Sequence, residues 1–185
     1  MTTKPKLITA DELLAMPRGD GRKYELIRGV LVEKVTTGDS HALVVVMIAT
    51  ILNLFVGPRN LGGVRAGEPG YLLEVGPDTV RAPDVAWIAP GRVPAGTRGY
   101  PNLAPDLAVE VKSPSNSHPE TRRKAEMWLS FGTRQVWVAD PDTTTITVYR
   151  PGVDPVELGE DDTIDGGELL PDFTAPVWSL FRWQR

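Results

Sequence analysis

The 185-residue sequence contains no cysteine, and its 20 basic residues do not balance its 24 acidic ones. Without cysteine there can be no disulfide bond, no thiol nucleophile and no metal site built on thiolates. A metal ion would therefore need oxygen or imidazole ligands. The formal net charge of −4 gives no overall attraction to nucleic acid. A nucleic-acid partner would need a local basic patch, a bound cation or both.

Long hydrophobic segments are also scarce. The start, MTTKPKLITADELL, lacks the apolar region of a signal peptide. The most apolar run, ALVVVMIATILNLFV, is short for a membrane span. We therefore expect a cytoplasmic protein with no membrane partner. The length predicts a single domain over residues 1–185, large enough to bury about 70% of its unfolded surface.

Capping boxes mark the starts of two helices. In a capping box, a Ser or Thr and a Glu three residues later satisfy each other's backbone N–H groups. Thr9 with Glu12 predicts a short helix near the start of the chain. Ser117 with Glu120 predicts a helix over about 119–131.

The apolar run after residue 40 predicts a third, longer helix. It should extend from about His41 to Phe55, with Asp39 or Ser40 as its cap. Although the run is rich in valine, its ~15 residues are long for a strand, so a helix is favoured. Because it is apolar on nearly all sides, we expect it to be buried.

Runs of β-branched and aromatic residues between glycine and proline turns predict the strands. YELI and VLVEKV around Arg28-Gly29 predict a hairpin, and QVWVAD and TITVYR predict a second pair. GYLLEV, TVRAPDVAWIA and LAVEVKS are expected to form a meander, and PVWSLFRW a β-rich tail. Helices and strands mixed in a mainly antiparallel order predict the α+β class.

An acid and a base interrupt the apolar strand in PDLAVEVKSPS, residues 105–115. Glu110 and Lys112 share one face, because side chains alternate along a strand. A buried carboxylate costs several kcal/mol unless it is paired or bound to a metal, and Glu110 could simply pair with Lys112. Asp106 lies about 13 Å away along the strand, too far to share an ion. Asp84, at the start of the preceding strand, would lie only about 4.8 Å away across the ladder and could share one.

Pro83-Asp84, followed by Glu110-x-Lys112 on the next strand, resembles the PD-(D/E)xK motif of metal-dependent nucleases. The wider pattern resembles the Uma-type family of restriction endonucleases over nearly the whole chain. The features that follow the family's order are YELIRG, a helix opening at His41, RAPDVAWI, PDLAVEVKSPS, a helix carrying Lys124, VWVADP and ELLPDF. The chain departs at Gln135, where relatives often have Glu, and at MWLSFG, which replaces a Tyr-containing segment. These departures bear on specificity more than on chemistry.

The resemblance implies a restriction-endonuclease-like core, in which helices flank a mixed, mainly antiparallel sheet. It also implies an endonuclease that hydrolyses DNA with Mg²⁺, for which Mn²⁺ could substitute. Asp84, Glu110 and the carbonyl of Val111 would hold the metal. Lys112, kept protonated by the neighbouring acids, would orient the attacking water and stabilise phosphate charge. Many relatives have an apolar residue at this position, so its retention here favours an active site.

Three further residues have both a functional and a structural interpretation. Glu25 is a catalytic acid by resemblance, or else an exposed carboxylate on the hairpin. His41 could contact phosphate or cap its own helix. Lys124 could contact phosphate or the active site, or form an ordinary helix pair with Glu120.

Two functions from different classes stay open on this evidence. The first is a Mg²⁺-dependent DNA endonuclease, favoured by the complete set of Asp84, Glu110 and Lys112. The second is a catalytically silent nuclease-fold module that binds nucleic acid or a protein partner, and the acidic charge of the chain keeps it open. A symmetric homodimer would suit the cutting of both DNA strands.

Overall fold

The computed structural model describes residues 6–17, 22–114 and 116–182, which divide into two compact units. The first unit comprises the described residues of Met1–Thr36, Gly70–Ala82 and Val93–Ala104. The second comprises those of Thr37–Pro69, Pro83–Arg92 and Pro105–Arg185. The expectation of one domain over residues 1–185 stays a prediction.

The described residues form three α-helices, twelve strands and one short 3-10 helix, joined by turns and loops. In chain order they are α1 (Ala10–Ala15), β1 (Lys23–Ile27), β2 (Val30–Lys34), α2 (Asp39–Val56), β3 (Gly63–Ala66), β4 (Tyr71–Glu74), β5 (Thr79–Arg81), β6 (Val85–Ile88), β7 (Leu107–Val111), α3 (His118–Ser130), β8 (Gln135–Asp140), β9 (Thr145–Tyr149), β10 (Val156–Leu158), β11 (Thr163–Asp165), β12 (Thr174–Pro176) and the 3-10 helix (Val177–Leu180).

The first unit is a four-stranded antiparallel sheet, in the order β2-β1-β5-β4, with α1 packed against it. The predicted hairpin is confirmed, since β1 and β2 pair around Arg28 and Gly29. Both turn residues have positive φ, 49° and 79°, as expected for a two-residue turn that matches the twist of a hairpin. The capping box of Thr9 and Glu12 is also confirmed at the start of α1. The small core of this unit contains Ala10, Leu13, Leu26 and Val80.

The second unit contains a six-stranded sheet in the order β10-β9-β8-β7-β6-β3 and a separate β11-β12 pair. Within the six-stranded sheet, β7 and β8 pair in parallel, and the four other pairs are antiparallel. The predicted mixed, mainly antiparallel sheet is therefore confirmed. Both predicted flanking helices are confirmed as well, and they cover opposite faces. Val109 lies in the core with α2, whereas the next residue, Glu110, contacts α3.

The helix α2 differs from the prediction at its start and in its burial. It begins at Asp39 with Gly38 as the N-cap, so the expected caps are wrong. It buries one face rather than all sides, because a helix returns to the same side about every 3.6 residues. The buried positions are His41, Val44, Ile48, Leu52 and Val56, whereas Val46 and Leu54 are exposed. Among the described helices, α2 is long and apolar enough to cross a membrane by length and composition alone, but its buried face packs into the core of the second unit.

The predicted meander is wrong, because TVRAPDVAWIA forms two strands in two sheets. The run divides into β5 and β6 at Pro83, which has no N–H to donate to a ladder. β6 pairs with β7, as predicted, but its other neighbour is the unpredicted β3. The β-rich tail is also partly wrong, because a 3-10 helix follows β12. The last residue of that predicted run, Trp183, lies outside the described residues.

The helix α3 agrees with the prediction at both ends. Ser117 is its N-cap, and the backbone N–H of Ser117 donates to Glu120 at 2.7 Å, as a capping box requires. Gly132 follows the C-cap with a φ of 95°, a conformation that glycine adopts at little cost. The burial of Ala125 and Trp128 turns one side of the helix toward the sheet.

A pair of leucines on α2 tests the assignment of its buried face. Leu52→Ala should lower the free energy of unfolding by about 2–5 kcal/mol, because Leu52 is fully buried. Leu54→Ala is the matched control, since Leu54 is 67% exposed, and it should cost less than about 1 kcal/mol. Urea denaturation of the two variants measures the difference, and equal losses would contradict the observed burial.

Candidate active site

The pairing of β6 with β7 brings the two predicted metal ligands, Asp84 and Glu110, to neighbouring positions. Val85 lies opposite Val109 in the antiparallel register, so Asp84, which immediately precedes β6, lies next to Glu110 of β7. The Asp84 N–H donates to the carbonyl of Val109 at 3.0 Å. Asp84 Oδ2 in turn accepts from the backbone N–H of Val111 at 2.7 Å. Both carboxylates are buried, so each depends on protein donors.

The helix α3 supplies two such donors to Glu110. The indole Nε1 of Trp128 donates to Oε1 at 2.8 Å, and Lys124 Nζ lies 3.1 Å from Oε2. Lys124 and Trp128 are four residues apart and so project from the same side of the helix. The structure thus places Lys124 at the predicted active-site acid, while Glu120 is used in the capping box.

Lys112 is held by two other acids, at the end of the parallel pair β7 and β8. Its Nζ lies 3.0 Å from Asp140 Oδ2 and 3.3 Å from Asp142 Oδ2. These carboxylates, with the hydrogen bond to Asp140 as the first cause, hold the pKa of Lys112 above its ordinary value. Lys112 is therefore protonated at neutral pH. Glu110 has Lys124 as its ion-pair partner, so the simple Glu110–Lys112 pair considered from sequence is not the arrangement that forms.

Sequence reasoning missed three residues of this site, Asp140, Asp142 and Trp128. Asp140 is the last residue of the strand QVWVAD. The parallel register places Val111 beside Ala139, so the next residue on each strand, Lys112 and Asp140, come together. A signal was present, because an acid at the end of a buried strand needs a partner. Trp128 lies within the predicted helix over 119–131, and its indole N–H needs an acceptor once it is buried.

His41 lies on the first turn of α2 and faces Asp84. Its Nε2 is 3.3 Å from Asp84 Oδ2, and both side chains are buried. The interpretation of His41 as the cap of its own helix is wrong, because Gly38 is the N-cap and no side-chain hydrogen bond caps this N-terminus among the described residues. The histidine instead helps to orient one of the two predicted metal ligands.

Glu25 lies in the first unit and is buried there, so its interpretation as an exposed hairpin carboxylate is wrong. Its Oε2 is 3.2 Å from Arg81 Nε, and its Oε1 accepts from the Ala82 N–H at 3.0 Å. Lys34 Nζ lies 4.0 Å from Oε1. These partners, which lie on β2, on β5 and directly after β5, offset the free-energy cost of burying the carboxylate within the first unit.

The charge of the site in the second unit favours a divalent cation. The contacts above involve four carboxylates and two ammonium groups, an excess of two negative charges with His41 left out of the count: Asp84, Glu110, Asp140 and Asp142 against Lys112 and Lys124. Within the part of the chain that the structure describes, no three His, Asp or Glu side chains converge as a metal group. Two carboxylates and a carbonyl fit Mg²⁺ nevertheless, because this ion prefers oxygen and usually keeps several waters.

Comparison with known proteins identifies the family. Residues 10–178 match the Uma2 family, which is described as "Putative restriction endonuclease". The chain belongs to the Uma2 family. The resemblance noted from sequence is therefore confirmed, and the matched segment contains every predicted site residue. A search of curated proteins gave no match.

A solved structure has the same fold as this Uma2 chain. It is a "putative nuclease belonging to DUF820" from Anabaena variabilis ATCC 29413, with a TM-score of 0.79 and 24% sequence identity. The match covers 94% of this chain and 97% of that one. This likeness confirms the predicted α+β, restriction-endonuclease-like fold.

Two buried tryptophans test the contribution of the indole hydrogen bond to Glu110. Trp128→Phe removes the donor, whereas Trp137→Phe removes an Nε1 that has no hydrogen-bond partner among the described residues. Both side chains are fully buried, so the loss of apolar volume is similar. Trp128→Phe should cost about 1.5–3 kcal/mol more than Trp137→Phe in urea unfolding, because its acceptor is charged. Equal costs would show that Glu110 does not depend on this donor.

Proposed function

We propose that this protein is a Mg²⁺-dependent endonuclease that hydrolyses DNA phosphodiester bonds. The observation that carries the proposal is that Asp84, immediately before β6, lies next to Glu110 of β7, in a site with excess negative charge. The description of the Uma2 family as restriction endonucleases agrees with it. An acidic chain can bind DNA in this way, because a bound cation supplies the charge that the sequence lacks.

Asp84, Glu110 and the carbonyl of Val111 would hold the ion, with Mn²⁺ as a substitute for Mg²⁺. When bound, a divalent ion polarises a phosphate oxygen and lowers the pKa of a coordinated water. His41 keeps the Asp84 carboxylate oriented, and Trp128 does the same for Glu110. Both acids are therefore fixed before an ion arrives, which reduces the entropy lost on binding.

The two lysines supply positive charge for the phosphate. Lys112 is protonated, because its hydrogen bond to Asp140 raises its pKa, so it donates to a phosphate oxygen or an attacking water rather than acting as a base. Lys124 is held at Glu110 while its side chain is still 32% exposed, so it can also reach a phosphate. These roles explain why two ammonium groups lie among four acids.

Substitutions at the metal ligands and at Lys112 test the catalytic proposal. The wild type should cut plasmid DNA with Mg²⁺ or Mn²⁺ and be silent in excess chelator. Asp84→Asn and Glu110→Gln should abolish both cutting and the calorimetric signal of Mg²⁺ binding, because each amide keeps the shape and removes the charge. Lys112→Ala should still bind Mg²⁺ but lose most of the activity.

Glu126→Gln is the control for this series, because Glu126 is an exposed residue on α3 that pairs with Arg122. Glu25→Gln is assayed beside it. Loss of cutting at unchanged thermal stability would support the catalytic role that the family resemblance gives Glu25, and lower stability at unchanged cutting would make Glu25 structural. If the wild type and all variants behave alike, the nuclease proposal fails, and a catalytically silent binding module takes its place.

Lys124 should affect metal and DNA in opposite directions. Lys124→Met removes a positive charge 3.1 Å from Glu110, so Mg²⁺ affinity should rise about threefold to tenfold. DNA affinity should fall and become less sensitive to salt, because one phosphate contact is lost. Calorimetry and fluorescence anisotropy of a labelled duplex measure the two effects. Arg122→Met, an exposed cation on the same helix, should change neither, and a purely structural Lys124 would lower stability at unchanged binding.

A further inference from the structure

The two acids that hold Lys112 differ in how firmly they are fixed. The side chain of Asp140 is 7% exposed and belongs to β8, whereas that of Asp142 is 62% exposed and follows the strand. The Lys112 side chain itself is only 10% exposed. The ammonium group is therefore bound by one partner inside the sheet and one partner in solvent.

The sheet and the turn both fix Asp140. The Lys112 N–H donates to the carbonyl of Ala139 at 2.8 Å, which locks the end of β7 to β8. Asp140 Oδ1 accepts from the Asp142 N–H at 3.0 Å, while its Oδ2 holds the ammonium. Asp140 is thus held by a hydrogen bond at Oδ1 and by the ion pair with Lys112 at Oδ2, which has no other partner among the described residues.

Asp142, in contrast, can be replaced at low cost. An ion pair with an exposed carboxylate contributes little stability, because water competes for both charges. A phosphodiester oxygen carries the same charge and can accept from the same ammonium. Displacing Asp142 would open the solvent side of Lys112 to such an oxygen.

We infer that Asp140 is a positioning residue for Lys112, and that Asp142 is a displaceable anion standing where a DNA phosphate contacts this lysine. This inference rests on the proposed nuclease function and extends it with two residues of opposite effect. Asp140 holds the ammonium in the geometry needed for the reaction. Asp142 competes with substrate and so lowers the affinity for DNA.

Steady-state cleavage kinetics separate the two roles. Asp142→Asn should lower KM, and the Kd for a labelled duplex in chelator, by about threefold to tenfold at unchanged kcat, because a competing charge is removed. Asp140→Asn should lower kcat by about tenfold to a hundredfold without weakening DNA binding, because Lys112 is no longer held in place. Both variants should still bind Mg²⁺ in calorimetry, since neither acid is a proposed metal ligand.

Asp165→Asn is the matched control for the removal of an exposed charge. The Asp165 side chain is 64% exposed and lies 3.6 Å from Arg150, so it resembles Asp142 in exposure and pairing but belongs to β11. It should change KM and Kd less than twofold. If Asp165→Asn tightens DNA binding as much as Asp142→Asn does, the effect is one of net charge, and the role of Asp142 is refuted.

The ammonium resonance of Lys112 tests its position without any catalysis. A buried NH₃⁺ group that is ion-paired with a buried carboxylate exchanges slowly with water, so it should give a ¹⁵N–¹H signal that Lys112→Met removes. The signal should persist in Asp142→Asn and vanish in Asp140→Asn. If Asp140→Asn does not fold, Asp140→Glu keeps the charge while moving it by one methylene, and it should lower kcat at unchanged Mg²⁺ affinity.

The possible failures can be told apart. Suppose that the wild type cuts DNA. If Asp140→Asn then keeps the full kcat, or if Asp142→Asn has the same KM as Asp165→Asn, the inference is overturned and the nuclease proposal stays intact. Loss of Mg²⁺ binding in either variant would make that acid a metal ligand and also overturns it. A wild type that neither cuts nor binds DNA refutes both the proposed function and the role of Asp142, and the ammonium signal then decides whether Asp140 holds Lys112.

Discussion

The site depends on the strand register around β7. The antiparallel register with β6 brings Asp84, the residue before that strand, next to Glu110, and the parallel register with β8 brings Lys112 to Asp140. A slip of one residue in either ladder would turn the side chains of that strand to the other face. The apolar residues that alternate with the acids prevent such a slip, because they would leave the core that they form with α2. The same packing that stabilises the second unit therefore also positions its charges.

Each buried charge in this site has a protein partner that comes from a different element. α2 supplies His41 to Asp84, and α3 supplies Lys124 to Glu110. Such pairing is required, because an uncompensated buried carboxylate costs several kcal/mol. It also means that a metal ion binds by exchange, since it must compete with the existing partners for the same oxygens. The measured metal affinity will therefore report the free-energy difference between two states, one in which the carboxylates bind the metal and one in which they keep their protein partners.

Local features of the fold could be predicted from sequence, and so could the neighbouring positions of Asp84 and Glu110 where β6 pairs with β7. Capping boxes and glycine turns act over a few residues, and adjacent strands in the chain commonly pair. The partner of Lys112 could not be predicted, because it depends on a parallel pairing across the whole of α3. His41 was misassigned for a local reason, since the helix begins two residues before it. The burial of Glu25 follows from contacts with β5, far along the chain.

We propose that Asp84 and Glu110 bind one divalent ion. Anomalous diffraction from a crystal soaked in Mn²⁺ tests it most directly, because the signal locates the metal independently of activity. The account predicts a peak at about 2.0–2.3 Å from a carboxylate oxygen of each residue, with Lys124 displaced from Glu110. A peak at Asp140 and Asp142, or no peak while His41 and Lys124 keep their present partners, would contradict it.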